Sequence, residues 1–449
     1  MTIDDLSITE TFGIELEFFV IDKKGNIVNK ADSIINPLKR LLEKSMITNE
    51  AGQHMLEIMS KPNRCSLQTF KSLLEDTETL LYETENNDLK LFNFGTYPSI
   101  NKGKTRLETR YQTIKKIRGT KLNIANTCIG FHYHFSLPRG TFDPNTLFFK
   151  DNINDIRKNK VQNLFNLYVA LDPAVSTFMQ SSPYYENEHL GKSSRTLIYR
   201  SEEMLGQKVK LFPDNPELSS LNKYAPDFDT IKQRIVDRAE MWRQKILEKG
   251  VKLEDYKKPD RKDSILDSSW KPVKISSHGT IESRGADMNN FKNIVGMTSV
   301  MNVLSKFVQR NKIEIKPSDI GINEPFKLED NVLHVPEYEH LSKILQKNSA
   351  LIGLEDKAVF NYSNSMLKLV KKITSIEVRP VLRMFSKMLD EKQTVADEFI
   401  NKVKKIQGRN DYLKIQPETA KEIVLNYSEQ MYKDLLMTKK MAEKNLTYF

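Results

Sequence analysis

The sequence predicts an α+β fold: strands interspersed with long helices, followed by a mostly helical C-terminal part. Three observations carry this expectation. Phe12, Ile14, Leu16 and Phe18 alternate with Gly13, Glu15 and Glu17, the period of two expected of a strand. Residues 129–137 repeat that alternation around His132 and His134. From about Asn290 onward apolar residues recur at helical spacing, interrupted near 314–335 and 407–417.

The remaining elements follow in chain order. After the opening strand, Ile34–Met46 has a helical pattern and His54–Met59 reads as a second strand. Leu67–Leu91 predicts one long helix, and Phe94–Ser99 a strand end running into a turn. Val161–Met179 is apolar enough for a buried helix. Residues 181–226 predict loop, punctuated by Pro183, Gly191, Pro213 and Pro216. A helix is expected over Thr230–Lys249, lysine-rich irregular chain over 250–275, and a short strand within His278–Asp287. These elements divide into a region of strands and helices over 1–320 and a helical part over 321–449 that packs on it or extends it.

Composition narrows the function classes. The 449 residues are 39% hydrophobic and 29% charged, as in a soluble globular protein. No run approaches the roughly 18 consecutive apolar residues of a membrane span, so no membrane partner is expected. The acidic start MTIDDLSITE has no apolar leader. Cys65 and Cys128 are the only cysteines, which gives no disulfide framework and no thiolate zinc site. A reducing cytoplasm is the expected compartment. The net charge of +10 comes from dispersed lysines without an RNA-binding aromatic signature, zinc finger or basic zipper. Dispersed lysine reads first as a solvated surface; a basic balance also suits anionic small substrates such as nucleotides, and nucleic acid is not an expected partner.

Side chains two apart on a strand share a face. Glu15 pairs with Glu17 in this way, His132 with His134, and Glu282 with Arg284, while Glu57 stands between Leu56 and Ile58. Each signal has a bland alternative. A lone Glu-x-Glu is usually a solvated strand face, a lone His-x-His is more often structural, and Glu-x-Arg is a common surface pair. Four such strands in one chain, all with apolar backing, weigh more. On one sheet, Glu15, Glu17, Glu57 and Glu282 could not all ionise without compensation. Divalent cations supply it, and carboxylates with an imidazole suit Mg2+ or Mn2+.

The segments FGIELEF, HMLEI, FGTYPS, TRYQ, GFHYHFSLP, SSPY, KSSR and GTIESR, in this order over residues 12–290, resemble the glutamate–cysteine ligases of the second type. That family, also called carboxylate–amine ligases, belongs to the glutamine synthetase-like superfamily. The resemblance implies a curved antiparallel sheet around a funnel-shaped active site, with helices outside. It implies that Glu15, Glu17, Glu57, His132 and Glu282 hold two or more Mg2+ ions on the phosphates of ATP. Arg284 would face the transferred phosphoryl group and act with Glu57 in catalysis, and His134 would support the nucleotide. Arg110 and Arg195 would bind substrate. The implied substrates are glutamate and an amine, cysteine first, joined through a γ-glutamyl phosphate. The family often dimerises, so a homodimer is part of the expectation.

The chain departs from the family where a Trp-Asp-x-Arg-Pro run usually precedes the last strand. Here Trp270 remains, but Val273 stands at the arginine's place, with Lys271 or Lys274 to supply the charge. Gly285 and Ala286 are also atypical. These departures keep open another amine acceptor, or a ligase that has lost its acceptor site. A non-catalytic nucleotide- or RNA-binding protein is the rival from another class. Gly191-Lys192-Ser193 lacks the earlier glycine of a phosphate-binding loop, because Glu186 stands there. Cys65 and Cys128 read as core thiols, Tyr184 and Tyr185 as packing residues, and Glu377 and Arg379 as surface charges.

Overall fold

Seven antiparallel strands form the central sheet. They are β1 (Phe12–Asp22), β2 (Ile47–Asn49), β3 (Met55–Met59), β4 (Leu89–Phe92), β5 (Gly130–Ser136), β6 (Val273–Ser276) and β7 (Thr280–Asp287). Their order is β6-β7-β5-β1-β3-β2, and β4 joins the far half of β1 at Phe19–Asp22. The computed structural model describes residues 10–42, 46–118, 126–200, 215–256, 264–374, 382–408 and 410–445. Glu377 and Arg379 lie outside the described residues.

The sheet is open and curved, and its two faces differ. Ile14, Leu16, Phe18, Phe131, Tyr133, Phe135 and Ile281 are all buried on one side. Helices α2 (Asp155–Phe178) and α4 (Phe291–Asn311) cover that side. Tyr133 meets Tyr168 of α2 at 6.2 Å between ring centroids, and Phe18 meets Phe291 of α4 at 6.5 Å. Each large aromatic ring buried here removes much apolar surface from water, the main stabilising term of such a layer.

Several elements differ from the sequence reading. The long helix expected to reach Leu91 ends earlier, as α1 (Ser66–Asn86). Asp88 then takes a left-handed conformation, φ 57°, which stops the helix and turns Leu89–Phe92 onto β1. Because the apolar residues of β4 continue the helical spacing, periodicity alone ran the two elements together. The region read as irregular over 250–275 ends in β6, paired with β7 through a tight turn at Gly279, φ 71°. Residues 181–226, read as loop, contain a hairpin of Tyr184–Tyr185 with Glu188–His189 and helix α3 (Ser194–Tyr199). The interruption at 314–335 is a small sheet of Glu314–Pro317, Lys327–Glu329 and Val332–Val335.

The C-terminal helices pack into the same core as the sheet, among them α5 (Pro417–Asn445). Phe94, just after β4, meets Tyr427 of α5 at 4.5 Å. The Phe291 N–H donates to Asp434 Oδ2 at 2.6 Å, and the Tyr362 hydroxyl donates to the Ala170 carbonyl at 2.5 Å. Among the described residues no helix is long and apolar enough to cross a membrane.

Candidate active site

Strand register places the polar side chains in rows across the face opposite the aromatic layer. Lys274, Glu282 and His134 stand side by side on β6, β7 and β5. In the adjoining rows Glu15 of β1 pairs with His132 of β5, and Glu17 pairs with Glu57 of β3. The residues separated by hundreds of positions in the chain are therefore neighbours because the strands are antiparallel and aligned in this register.

His132 lies at the centre. Its Nδ1 is 2.9 Å from Glu15 Oε2 and 4.0 Å from Glu282 Oε1, while its Nε2 is 3.5 Å from Glu17 Oε1. Burial, and then the charge of Arg284, push this imidazole down to about 4, so it is neutral near pH 7. A neutral ring that donates from Nδ1 to the Glu15 carboxylate leaves a bare lone pair on Nε2. That atom is buried and has no hydrogen-bond partner. His134 differs. Burial pushes its pKa down, but the charges of Glu15 and Glu282 overturn this and raise it. Its Nε2 is 3.2 Å from Glu15 Oε1, and its Nδ1 is 2.8 Å from Thr280 Oγ1.

The four carboxylates separate into two states. Burial raises Glu15, but the charges and hydrogen bonds of His134 and His132 hold it well below the usual range. Burial likewise raises Glu282, and Lys274, Arg284 and His134 overturn it and hold it low. Lys274 Nζ is 3.2 Å from Glu282 Oε2, and an Arg284 guanidinium nitrogen is 3.1 Å from Glu282 Oε1. Glu17, by contrast, is pushed up to about 8 by burial and then by the charge of Glu50. Glu57 is raised well above its ordinary value by burial and by Glu15, Glu50 and Glu17. Burial and like charges disfavour the ionised form of both acids, and Arg284 only partly offsets this.

The cluster fits divalent cations. Glu15, His132 and Glu282 offer three ligand atoms within 4.8 Å of one another, and so do Glu17, Glu57 and His132; a neutral imidazole has one lone pair, and with Nδ1 donating to Glu15 it lies on the Glu17 side. Carboxylate oxygens with one imidazole are a donor set for Mg2+ or Mn2+. The buried His132 Nε2 without a hydrogen-bond partner, facing Glu17 Oε1 at 3.5 Å, is a separate sign that a cation fits there.

Arg284 owes its position to a β-bulge. The register of β7 on β5 shifts between Ser283 and Ala286. Two nitrogens of Arg195 donate to the carbonyls of Gly285 and Arg284, each at 3.1 Å. A Cβ on Gly285 would come within 2.2 Å of Asp172 Oδ1, so only glycine fits over the buried Asp172–Arg200 ion pair. A Cβ on Gly130 would come within 2.3 Å of the Arg195 guanidinium. Arg195 is therefore bound to main chain through two nitrogens, and its buried Nε has no partner. Arg110, on the helix Thr109–Arg118, lies over the Tyr256 ring at 4.5 Å.

The SSPY and KSSR segments meet at Asp287. Ser182 Oγ donates to its Oδ2 at 2.6 Å, Ser193 Oγ donates to its Oδ1 at 3.0 Å, and the Ser181 N–H donates to Oδ2 at 3.1 Å. Lys192 of the rejected phosphate-loop pattern pairs with Asp397. Cys128 is buried and its thiol is pushed up to about 12 by burial, which makes it unreactive. The two lysines flanking Val273 have different partners. Lys271 donates to the Ser220 carbonyl at 3.0 Å, while Lys274 reaches Glu282.

One acid at the cluster carries no sequence signal. Glu50 follows β2 in irregular chain. Burial raises its pKa, the charge of Arg284 opposes this, and the charge of Glu15 adds to it. No periodic pattern could have pointed to Glu50, because it is not on a strand. Only the fold of the chain beyond β2 brings it into the field of Arg284 and Glu15.

The family described as Glutamate-cysteine ligase family 2 matches residues 11–246. No curated protein matches the chain. Among solved structures, a bifunctional glutathione synthetase from Pasteurella multocida is similar, with a TM-score of 0.58 and 13% identity, over 97% of this chain and 55% of that one. The chain thus spans about half of that enzyme's length. A glutamate–cysteine ligase from Francisella tularensis, solved in complex with AMP, has a TM-score of 0.53 and 14% identity, over 98% of this chain and 93% of that one. At these identities the likeness is one of fold.

Proposed function

Since the chain belongs to Glutamate-cysteine ligase family 2, we propose that it joins the γ-carboxylate of glutamate to an amine at the expense of ATP, with cysteine as the acceptor and γ-glutamylcysteine as the product. The observation that carries the reading is the His132-centred carboxylate cluster beside Arg284.

A carboxylate is a poor electrophile, so the γ-carboxylate oxygen first attacks the terminal phosphorus of ATP and ADP leaves. The amine nitrogen then attacks the carbonyl carbon of the γ-glutamyl phosphate, loses a proton, and phosphate departs. Phosphoryl transfer depends mostly on positioning and charge neutralisation. Glu15, Glu17, Glu57, His132 and Glu282 would hold Mg2+, which when bound neutralises phosphate charge. Arg284 offers a planar, permanently charged fork, fixed by the bulge and by its ion pair with Glu282. His134, whose pKa its acidic neighbours raise, is assigned to the nucleotide. Arg110 is assigned to substrate, and so is the free Nε of Arg195, whose other nitrogens steady the main chain under Arg284.

A second acceptor is favoured by one observation. Val273 is buried where the family carries an arginine, and the nearest cation at that edge is Lys274, already engaged by Glu282. The deciding experiment measures ADP release from ATP, Mg2+ and glutamate with each of the twenty amino acids and a few polyamines, alongside Glu15→Gln. Release that requires one acceptor and is lost in the variant is the expected result. Failure of the wild-type protein to bind Mg2+ and ATP would overturn the reading.

A further inference from the structure

The two groups of metal-type ligands are unequal before any cation arrives. In the first group, Glu282 faces Lys274 Nζ at 3.2 Å and Arg284 at 3.1 Å. Its partner Glu15 faces His132 Nδ1 at 2.9 Å and His134 Nε2 at 3.2 Å. In the second group neither Glu57 nor Glu17 has a lysine or arginine ion pair among the described residues: Glu17 meets the Gly130 N–H at 2.5 Å and the His132 Nε2 edge at 3.5 Å, and the charges of Arg284 on both, and of Arg195 on Glu17, act without a direct pair. The polypeptide therefore pairs its own cations directly with one half of the cluster and not with the other.

Lys274 shares this difference with Arg284, and only Lys274 is without a role in the proposed reaction. It is opposite Glu282 in the register of the β6–β7 hairpin, and its side chain is only 13% exposed. On a strand, the side chain one position away points to the other face, so Val273 at 0% exposure is turned into the core while Lys274 is turned into the cluster. Arg284 has a phosphoryl group to meet in the proposed reaction, whereas Lys274 has no partner but Glu282 among the described residues.

We infer that the Lys274 ammonium occupies the charge position of one divalent cation at Glu15–His132–Glu282, so that without nucleotide the chain has a single tight cation seat, at Glu17–Glu57–His132. The inference rests on the reading of this cluster as a divalent-cation site. A tethered ammonium about 3 Å from a carboxylate repels an incoming dication over the same distance that it attracts the carboxylate. It also engages Glu282 Oε2, while Arg284 engages Oε1, the oxygen nearer His132. Metal enters the first group only when that ammonium moves aside, for example toward the phosphates of a bound nucleotide.

The test counts Mn2+ bound to the nucleotide-free protein by the loss of the free-ion electron paramagnetic resonance signal, and needs no turnover. The wild-type protein is expected to bind one Mn2+ tightly and a second at least roughly tenfold more weakly. Lys274→Met, which keeps the length of the stem and removes the charge, should tighten the second by about that factor. Lys274→Arg should behave as wild type. Glu57→Gln should lose the tight ion in the wild-type background and keep one in the Lys274→Met background. Two equivalent ions in the wild-type protein, or no change in Lys274→Met, would overturn the inference while leaving the cation site standing. Absence of any bound Mn2+ in the wild-type protein would overturn the cation site itself.

Discussion

The two faces of the central sheet are built from the same strands and do opposite things. On β1 and β5, Ile14, Leu16, Phe18, Phe131, Tyr133 and Phe135 turn to one side, and Glu15, Glu17, His132 and His134 to the other. The first set packs against α2 and α4 and lowers the free energy of the fold. The second set is buried almost as deeply, yet it gathers like charges and an unpartnered imidazole nitrogen. Burying uncompensated charge costs stability. The comparison teaches that the aromatic layer supports a face that is unfavourable by itself, with Glu17 and Glu57 the acids whose ionised form burial disfavours.

The comparison breaks most sharply if the aromatic layer proves dispensable. Phe135→Ala should destabilise the protein by about 3–5 kcal/mol in urea unfolding, through lost transfer energy and a cavity. Retained ligand binding at the temperatures where the variant is still folded would confirm that the layer acts through stability alone. Arg284→Met should act in the opposite sense. Its turnover should fall by about 10²–10³-fold, as for loss of one preorganised charge at a reacting group, with far less effect on unfolding. Lys274 still neutralises Glu282 in that variant. A stability loss matching that of Phe135→Ala would show that Arg284 is mainly structural.

The histidines sharpen the comparison. His134 is raised by its carboxylate neighbours, whereas His54, stacked on Phe19 at 6.0 Å and bonded to the Asn126 carbonyl at 2.7 Å, is pushed down to about 4 by burial. A folded-state pKa below the unfolded value near 6.5 means that the unfolded chain takes up the proton first. The stability contributed by neutral His54 is therefore complete above about pH 6.5 and is lost as the pH falls to about 4, roughly 3 kcal/mol in all. His54→Gln should flatten the pH dependence of urea unfolding across that window. An unchanged slope would place the acid sensitivity elsewhere.

The smallest effect expected is the most diagnostic of the charged face. Glu57→Gln, measured without divalent ions at neutral pH, should leave stability unchanged or raise it by about 1 kcal/mol, because burial and three neighbouring acids disfavour its ionised form. The same variant should lose the stabilisation that Mg2+ gives the wild-type protein. A clear loss of stability in the metal-free variant would mean that the Glu57 carboxylate is already satisfied by the polypeptide.

Much of this face was legible from residue spacing. The alternation in β1, β5 and β7 fixes which side chains share a side, because the pleat reverses direction at every residue. The strand through Met55–Met59 was legible for the same reason, with Glu57 between apolar neighbours. Strands β4 and β6 were not. The residues of β4 carry on the spacing of α1, and β6 has four residues in a lysine-rich stretch, too short to show a period. Glu50 was beyond reach because it sits on no repeating element.

The sequence by itself determined the aromatic layer, the strand pairs of acids and histidines, and the family to which they point, since each depends on local period and residue type. The tertiary structure alone decided the rest. Register brought Glu15 to His132 and Glu17 to Glu57, and the Gly285 bulge over Asp172–Arg200 set the place of Arg284. The turn at Gly279 put Lys274, and not Lys271, against Glu282. The physical reason is distance. Periodicity states which way a side chain points, but the charge state of a carboxylate depends on what stands within a few ångströms of it, and those neighbours come from strands far apart in the chain.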